Sequence, residues 1–66
     1  MNVQDRLLTI DEAAELLRQP VATLRYHRHL RVGPKSAKIG RRIVYRESDV
    51  RAFIDAQFAE TSGPAA

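Results

Sequence analysis

Nine basic residues lie between positions 16 and 46, and this window contains no Asp or Glu. Guanidinium and ammonium groups bind phosphate, and a nearby carboxylate would repel a phosphate backbone. The alternative is a solvated basic face without a partner, but interspersed acids would give solubility more simply. We therefore predict a polyanion-binding surface built from Arg18, Arg25, Arg28, Arg31, Lys35, Lys38, Arg41, Arg42 and Arg46.

The rest of the composition favours binding over catalysis. The chain of 66 residues has a net charge of +3, contains no cysteine and carries its eight acids outside the basic window. His27 and His29 are two positions apart, so on a helix they diverge by about 200° and do not share a metal or a substrate. Because no nucleophile with a base and no carboxylate pair is visible, we expect no enzyme activity, no metal and no cofactor.

A capping box predicts the first helix. Thr9 and Glu12 have the spacing at which each side chain bonds the backbone amide of the other. An apolar stripe at helical spacing follows, formed by Ile10, Ala13, Ala14 and Leu17. The sequence therefore predicts a helix over 10–18.

A second helix is predicted to start at Gln19–Pro20, because proline is accepted in the first turn of a helix and not in its interior. Steps of 100° around Leu24 place Pro20, Val21, His27, Arg28 and Arg31 on or near the buried side. The outward side consists of Ala22, Tyr26 and His29, with Thr23 and Arg25 on the flanks. We expect the helix to end at 29 or 30, with Leu30 folding back onto the core before Gly33–Pro34.

Two helices joined by a break of about three residues have the form of a helix-turn-helix, although a plain helical hairpin has the same form. A β-hairpin is predicted next, with strands at 36–39 and 42–45 and a tip at Gly40–Arg41. Its basic residues either enter a nucleic-acid groove or blunt an exposed sheet edge. We favour the first interpretation because the neighbouring helix is also free of acids.

A third helix is predicted over 47–58, with Val50, Phe53, Ile54 and Phe58 on the stripe that closes the core. Arg46 occupies the position where a capping Ser or Thr is expected. The start of this helix is therefore predicted only to within one or two residues. The expected fold is mainly α with a small β-hairpin: helix, helix, two-stranded wing, helix. We predict one domain over 7–58, with flexible tails at 1–6 and 59–66.

Several runs resemble the DNA-binding half of MerR-type regulators. These are LTIDEAAELL at 8–17 and ATLRYH at 22–27, and GRR at 40–42 with YRESDV at 45–50 resembles the wing and the following helix. The resemblance implies a winged helix-turn-helix and a phosphate contact for the Tyr26 hydroxyl, with half-buried packing of its ring as the alternative. Pro20 departs from the pattern, because many relatives have a capping Ser or Thr there.

Within this superfamily the chain looks most like the excisionases, the recombination directionality factors of phages and mobile elements. The resemblance implies binding to repeated DNA sites, DNA bending, an integrase (site-specific recombinase) as partner, and self-association on repeated sites. It also implies a DNA-associated protein in the cytoplasm of a bacterial host. A small transcription regulator is the alternative; effector sensing is not expected, because the cysteines of the sensing regulators are absent.

The predicted mechanism places the second helix in the major groove of double-stranded DNA and the wing tip at an adjacent minor groove. A protein-interaction module that does not bind DNA is the competing class. RNA is less favoured, because aromatic pairs that would stack unpaired bases are missing. The predicted DNA-binding residues are Arg18, Ala22, Thr23, Arg25, Tyr26, Arg28, His29, Lys38, Arg41 and Arg42.

Overall fold

The computed structural model describes residues 5–61, which form three helices and three short strands. In chain order these are β1 (Leu7–Thr9), α1 (Ile10–Leu17), α2 (Val21–Leu30), β2 (Ala37–Ile39), β3 (Arg42–Arg46) and α3 (Glu47–Thr61). The predicted order of helix, helix, wing and helix is confirmed. None of the helices in this part of the chain combines the length and the apolar character required to cross a bilayer.

Helix α1 begins at the predicted capping box. The Glu12 amide donates to Thr9 Oγ1 at 3.1 Å, and the Thr9 amide donates to Glu12 Oε1 at 2.9 Å. The helix ends at Arg18, whose left-handed backbone (φ 57°) turns the chain while its amide bonds the carbonyl of Glu15. Residues 18–20 then form the turn to α2, as the helix-turn-helix prediction requires.

Helix α2 buries Leu24 and half-buries Val21, His27 and Arg28. Pro20 and Arg31 are exposed, because they are the capping residues at its two ends and lie outside its regular turns. Leu30 is also 49% exposed, so the prediction that it folds back onto the core is wrong. The helix stays regular through Leu30, which places this side chain about 120° from the Leu24 direction.

The wing belongs to a three-stranded antiparallel sheet in the order β1-β3-β2. β2 and β3 pair from Ala37 with Val44 to Ile39 with Arg42, which leaves Gly40 and Arg41 as the predicted tip. The sequence analysis did not predict β1. This three-residue strand forms only by pairing with β3 nearly 40 positions away, Leu8 lying opposite Tyr45.

The chain before β1 caps the start of α3. Asp5 accepts the Ser48 amide at 3.0 Å and the Ser48 hydroxyl at 2.7 Å, and the Arg6 carbonyl accepts the Glu47 amide at 2.9 Å. These bonds satisfy orphan amides of the helix and replace the local cap that Arg46 does not supply. Residues 5 and 6, expected in the N-terminal tail, are therefore bonded to the domain.

Helix α3 continues to Thr61, three residues beyond the predicted end at 58. Ala59 and Glu60 favour helix, and no breaker occurs before Gly63–Pro64. Ala59 and Glu60 therefore do not belong to a tail. The remaining parts of the two predicted tails, 1–4 and 62–66, lie outside the described residues.

The core is formed where the sheet and the three helices meet. Phe53 and Ile54 are half-buried, whereas Phe58 is 66% exposed, so the prediction that Phe58 helps to close the core is wrong. The first turns of α3 lie over the core, and Phe58 lies beyond it on the same helix. The buried side chains are Leu8, Ile10, Ala13, Ala14, Leu24, Tyr45 and Val50.

Candidate nucleic-acid interface

The outward face of α2 is open to solvent as predicted. Ala22 and His29 are exposed, and of the two flanking residues Arg25 is exposed and Thr23 is half-buried. The Tyr26 side chain is 61% exposed, and its ring lies tilted beside that of His27 at a centroid distance of 6.4 Å. This exposure contradicts the half-buried packing considered for Tyr26 and leaves its hydroxyl accessible to a ligand.

The N-terminus of α2 differs in charge from those of the other helices. No acid lies in its first turn, and Pro20 provides no side-chain cap. In contrast, α1 has Asp11 and Glu12 in its first turn, and α3 has Glu47 and Asp49. The positive end of the α2 dipole is therefore not compensated within the helix, which favours an anion at this end.

The wing presents its basic residues at the end of a tight turn. Lys38, Arg41 and Arg42 are all exposed. Gly40 has φ 63°, and a Cβ built there meets nothing within 4 Å, so glycine is needed for the conformation and not for space. A positive φ at the first of two turn residues is typical of a type II′ turn, whose backbone twist matches the twist of the two flanking strands.

Side chains of α2 reach the base of the wing. Arg28 Nε donates to Ser36 Oγ at 2.7 Å, and the Arg28 side chain is partly buried there. Burial raises the pKa of Tyr45 on β3, while the charge of Arg28, a hydrogen bond with Ser36 and the charge of Arg25 oppose the rise. Two arginines of α2 thus lie close enough to β3 to act on its tyrosine, so α2 and the wing adjoin.

Most of the basic window is not neutralised within the protein. Arg46 is paired with Asp49 at 3.1 Å, and the other ion pairs within residues 5–61 use Arg6 and Arg51, outside the window. Within that range no carboxylate lies within ion-pair distance of the other eight window cations. These are Arg18, Arg25, Arg28, Arg31, Lys35, Lys38, Arg41 and Arg42.

Two predicted site residues have positions that differ from the rest. Arg28 is turned toward Ser36, so part of its guanidinium is engaged inside the protein. Arg18 is exposed in the turn between α1 and α2, near the α2 N-terminus and not on its outward face. The remaining members lie either on the exposed or flanking sides of α2 or on the wing.

The two histidines diverge as their spacing predicted. His27 is half-buried, and a Cβ built on Gly33 would lie 3.6 Å from its Cβ, whereas His29 is exposed. The part of the chain that the structure describes holds no group of three His, Cys, Asp or Glu residues arranged for a metal ion.

Three residues that shape this region were not predicted from the sequence. Ser36 and Tyr45 join α2 to the wing, and Asp5 caps α3. Each acts through a partner at least eight positions away, so no local motif marks it. Ser36 was predicted to begin the first strand of the hairpin, but that strand begins at Ala37.

These elements together define a winged helix-turn-helix domain. The chain belongs to the helix-turn-helix domain family, whose model matches residues 7–57. The family is typical of small, excisionase-like DNA-binding proteins and is typically non-enzymatic, and the helix-turn-helix domain supports DNA as the partner of this chain. Comparison with curated proteins finds no significant match, and neither does comparison with solved structures.

Proposed function

We propose that this protein binds double-stranded DNA sequence-specifically, with α2 in the major groove and the wing tip at the adjacent minor groove. The observation that carries the proposal is that eight cations of the basic window have no paired carboxylate within residues 5–61, and that five of them lie on α2 or the wing: Arg25, Arg28, Lys38, Arg41 and Arg42. Each phosphate bound by such a cation releases condensed counterions, which drives association.

The contacts divide into those that position the protein and those that read sequence. Arg25, His29 and Thr23 are the candidates for base edges, and the small side chain of Ala22 allows the helix to approach closely. The hydroxyl of Tyr26 is a candidate for a phosphate oxygen. The cations assigned to the phosphate backbone or the minor groove are Arg18, Lys38, Arg41 and Arg42.

Within this function we propose an excisionase-type role, in which the protein bends DNA and directs excision by an integrase. The family, typical of small excisionase-like proteins, supports this role. Binding of several copies to repeated sites, with self-association, belongs to the same proposal. An excision assay with purified integrase and attachment-site DNA tests it: product that requires this protein supports the role, whereas product independent of it favours a small transcription regulator.

The DNA-binding proposal is tested by the salt dependence of affinity for a duplex. If the four assigned cations each neutralise one phosphate, log K should fall against log[salt] with a slope of about −4. Arg41→Ala should weaken binding to all sequences alike and flatten the slope by about one. Arg51→Ala is the matched control, because Arg51 is paired with Glu47 on α3 at 2.8 Å. A wild-type slope near zero contradicts the proposal.

A protein-interaction module is the second candidate, and a different surface favours it. An apolar groove of about 450 Å³ lies between α1, α2 and α3, bordered by the exposed Val32 and Phe58. Retention on heparin or duplex DNA that is lost at moderate salt supports DNA binding. Indifference to both would favour a protein partner instead.

A further inference from the structure

The two strands of the wing differ in how they contact the rest of the protein. All three residues of β2 are exposed, and this strand is an edge strand that pairs with β3 alone within residues 5–61. The connector from α2 contains Gly33 with φ 86° and Pro34. Apolar packing therefore does little to set the position of β2 relative to α2.

A polar contact does join them. Arg28 Nε donates to Ser36 Oγ at 2.7 Å across a separation of eight residues, and both side chains are partly buried. The bond is charge-assisted and partly shielded from water, and both conditions strengthen a hydrogen bond. Ser36 also interacts with the buried Tyr45 of β3. The Arg28–Ser36 bond therefore connects α2 to the residue directly before β2, close to Tyr45 of β3.

The neighbouring arginine provides the contrast. Arg25 lies one turn earlier on α2, is exposed, and makes no side-chain hydrogen bond within the described residues, as expected of a cation kept for a ligand. Arg28 instead donates its Nε–H to Ser36, although a guanidinium with all its donors free could form more hydrogen bonds to a phosphate. The structure thus gives two arginines of one helix different surroundings.

We infer that Arg28 is a positioning residue, which uses Ser36 to fix the wing relative to α2 so that both reach the same duplex. The inference rests on the proposed DNA binding and revises the prediction that Arg28 contacts DNA. Fixing the wing before binding removes an ordering cost that would otherwise weaken the complex. Losing the bond should therefore weaken DNA binding through the wing, even where the charge on α2 is retained.

A double-mutant cycle tests this role. Ser36→Ala and Arg28→Met should each lower affinity for a duplex roughly tenfold, and the double variant should be no weaker than the weaker single variant. The salt slope of Ser36→Ala should stay near that of the wild type, because no phosphate contact is removed. Arg25→Met is the matched control, and its effect should add to that of Ser36→Ala.

A phosphate role for Arg28 gives the opposite pattern. Arg28→Met would then flatten the salt slope by about one, Ser36→Ala would leave affinity unchanged, and the two effects would add. Any of these three results overturns the inference. If Arg28→Met does not fold, the affinity and the salt slope of Ser36→Ala alone distinguish the positioning role of Arg28 from a phosphate contact.

Amide hydrogen exchange in the absence of DNA separates this inference from the proposed function. Ser36→Ala should speed exchange at Ala37 and Val44, the hydrogen-bonded pair of the hairpin next to Ser36, at least severalfold, and leave exchange in α1 unchanged. Unchanged exchange in the hairpin overturns the positioning role whatever the protein binds. Faster exchange in a protein whose wild type ignores DNA would contradict only the proposed function.

Discussion

At the scale of single residues, the acids and bases of this protein have separate tasks. The acids near the chain ends form the caps and ion pairs of α1 and α3, for example Glu12 with Thr9 and Asp5 with Ser48. The bases of the central window lack such partners, Arg46 excepted. This division leaves the charge of the window available to a ligand, while carboxylates outside the window cap α1 and α3.

Asp5 provides an acid-dependent contribution to stability. Hydrogen bonds from the side chain and the backbone amide of Ser48 lower the pKa of its carboxyl below the ordinary value, assisted by the charge of Arg46. A lowered folded-state pKa means a contribution that is complete above about pH 4 and lost as the pH falls through the folded pKa.

Asp5→Ala should therefore lower the melting temperature at neutral pH, and its difference from the wild type should shrink in strong acid. Thermal melts across the acid range measure this difference. Asp55→Ala, which removes one carboxylate from an exposed position of α3, is the control. Equal effects of the two substitutions at neutral pH would refute the capping role.

Tyr45 provides the corresponding effect in alkali. Burial raises its pKa, so the unfolded chain loses the phenolic proton first, and stability should fall as the pH rises above about 10 toward the folded pKa. Melting of the wild type and of Tyr45→Phe should therefore converge with rising pH, because the variant lacks this ionisation. Parallel losses in the two proteins would show that Tyr45 does not carry the effect.

At the scale of elements, local motifs were predictable and distant pairings were not. The capping box, the break between the first two helices and the Gly40 hairpin each depend on a few adjacent residues. The structure confirms all three, although α1 ends at Leu17 and not at the predicted Arg18, and α2 begins at Val21. Strand β1 exists only because β3 lies beside it. Leu30 and Phe58 are apolar in sequence yet exposed, because burial depends on which other elements reach them.

A substitution of Arg18, at the end of α1, should affect the stability of the domain and its affinity for DNA in opposite directions. Arg18 adopts a left-handed backbone, which glycine adopts without strain, so Arg18→Gly should change stability by only about 0 to 1 kcal/mol, in the stabilising direction. The same change should weaken DNA binding about threefold to tenfold by removing one cation.

Arg31→Gly is the matched control, because Arg31 ends α2 in the same conformation (φ 61°) and is not among the proposed contacts. Melting curves and duplex titrations of both variants provide the comparison. An Arg18→Gly protein that binds as tightly as Arg31→Gly would remove Arg18 from the interface.

At the scale of the whole molecule, the core consists of seven buried side chains, and these few residues must stabilise a fold that carries many exposed charges. A core of this size provides net stability of only about 3 to 5 kcal/mol. Leu24 is 2% exposed and lies on the side of α2 opposite the proposed recognition face. Its burial therefore holds the recognition helix on the core.

Leu24→Ala should therefore cost about 2 to 5 kcal/mol, enough to unfold most of the population. Circular dichroism melting measures this loss, and Ala22→Gly on the exposed face is the control, with a cost of about 1 kcal/mol from helix propensity. A Leu24→Ala protein that melts like the wild type would mean that a different face of α2 is buried.

The central claim is that α2 and the wing form one surface that binds duplex DNA, and chemical-shift mapping of backbone amides during titration with a duplex tests it most directly. We predict that the largest shifts lie together in Ala22, Arg25 and His29 of α2 and in Lys38 and Arg41 of the wing. Shifts concentrated around Phe53 and Phe58 of the apolar groove, or no shifts at all, would contradict the account.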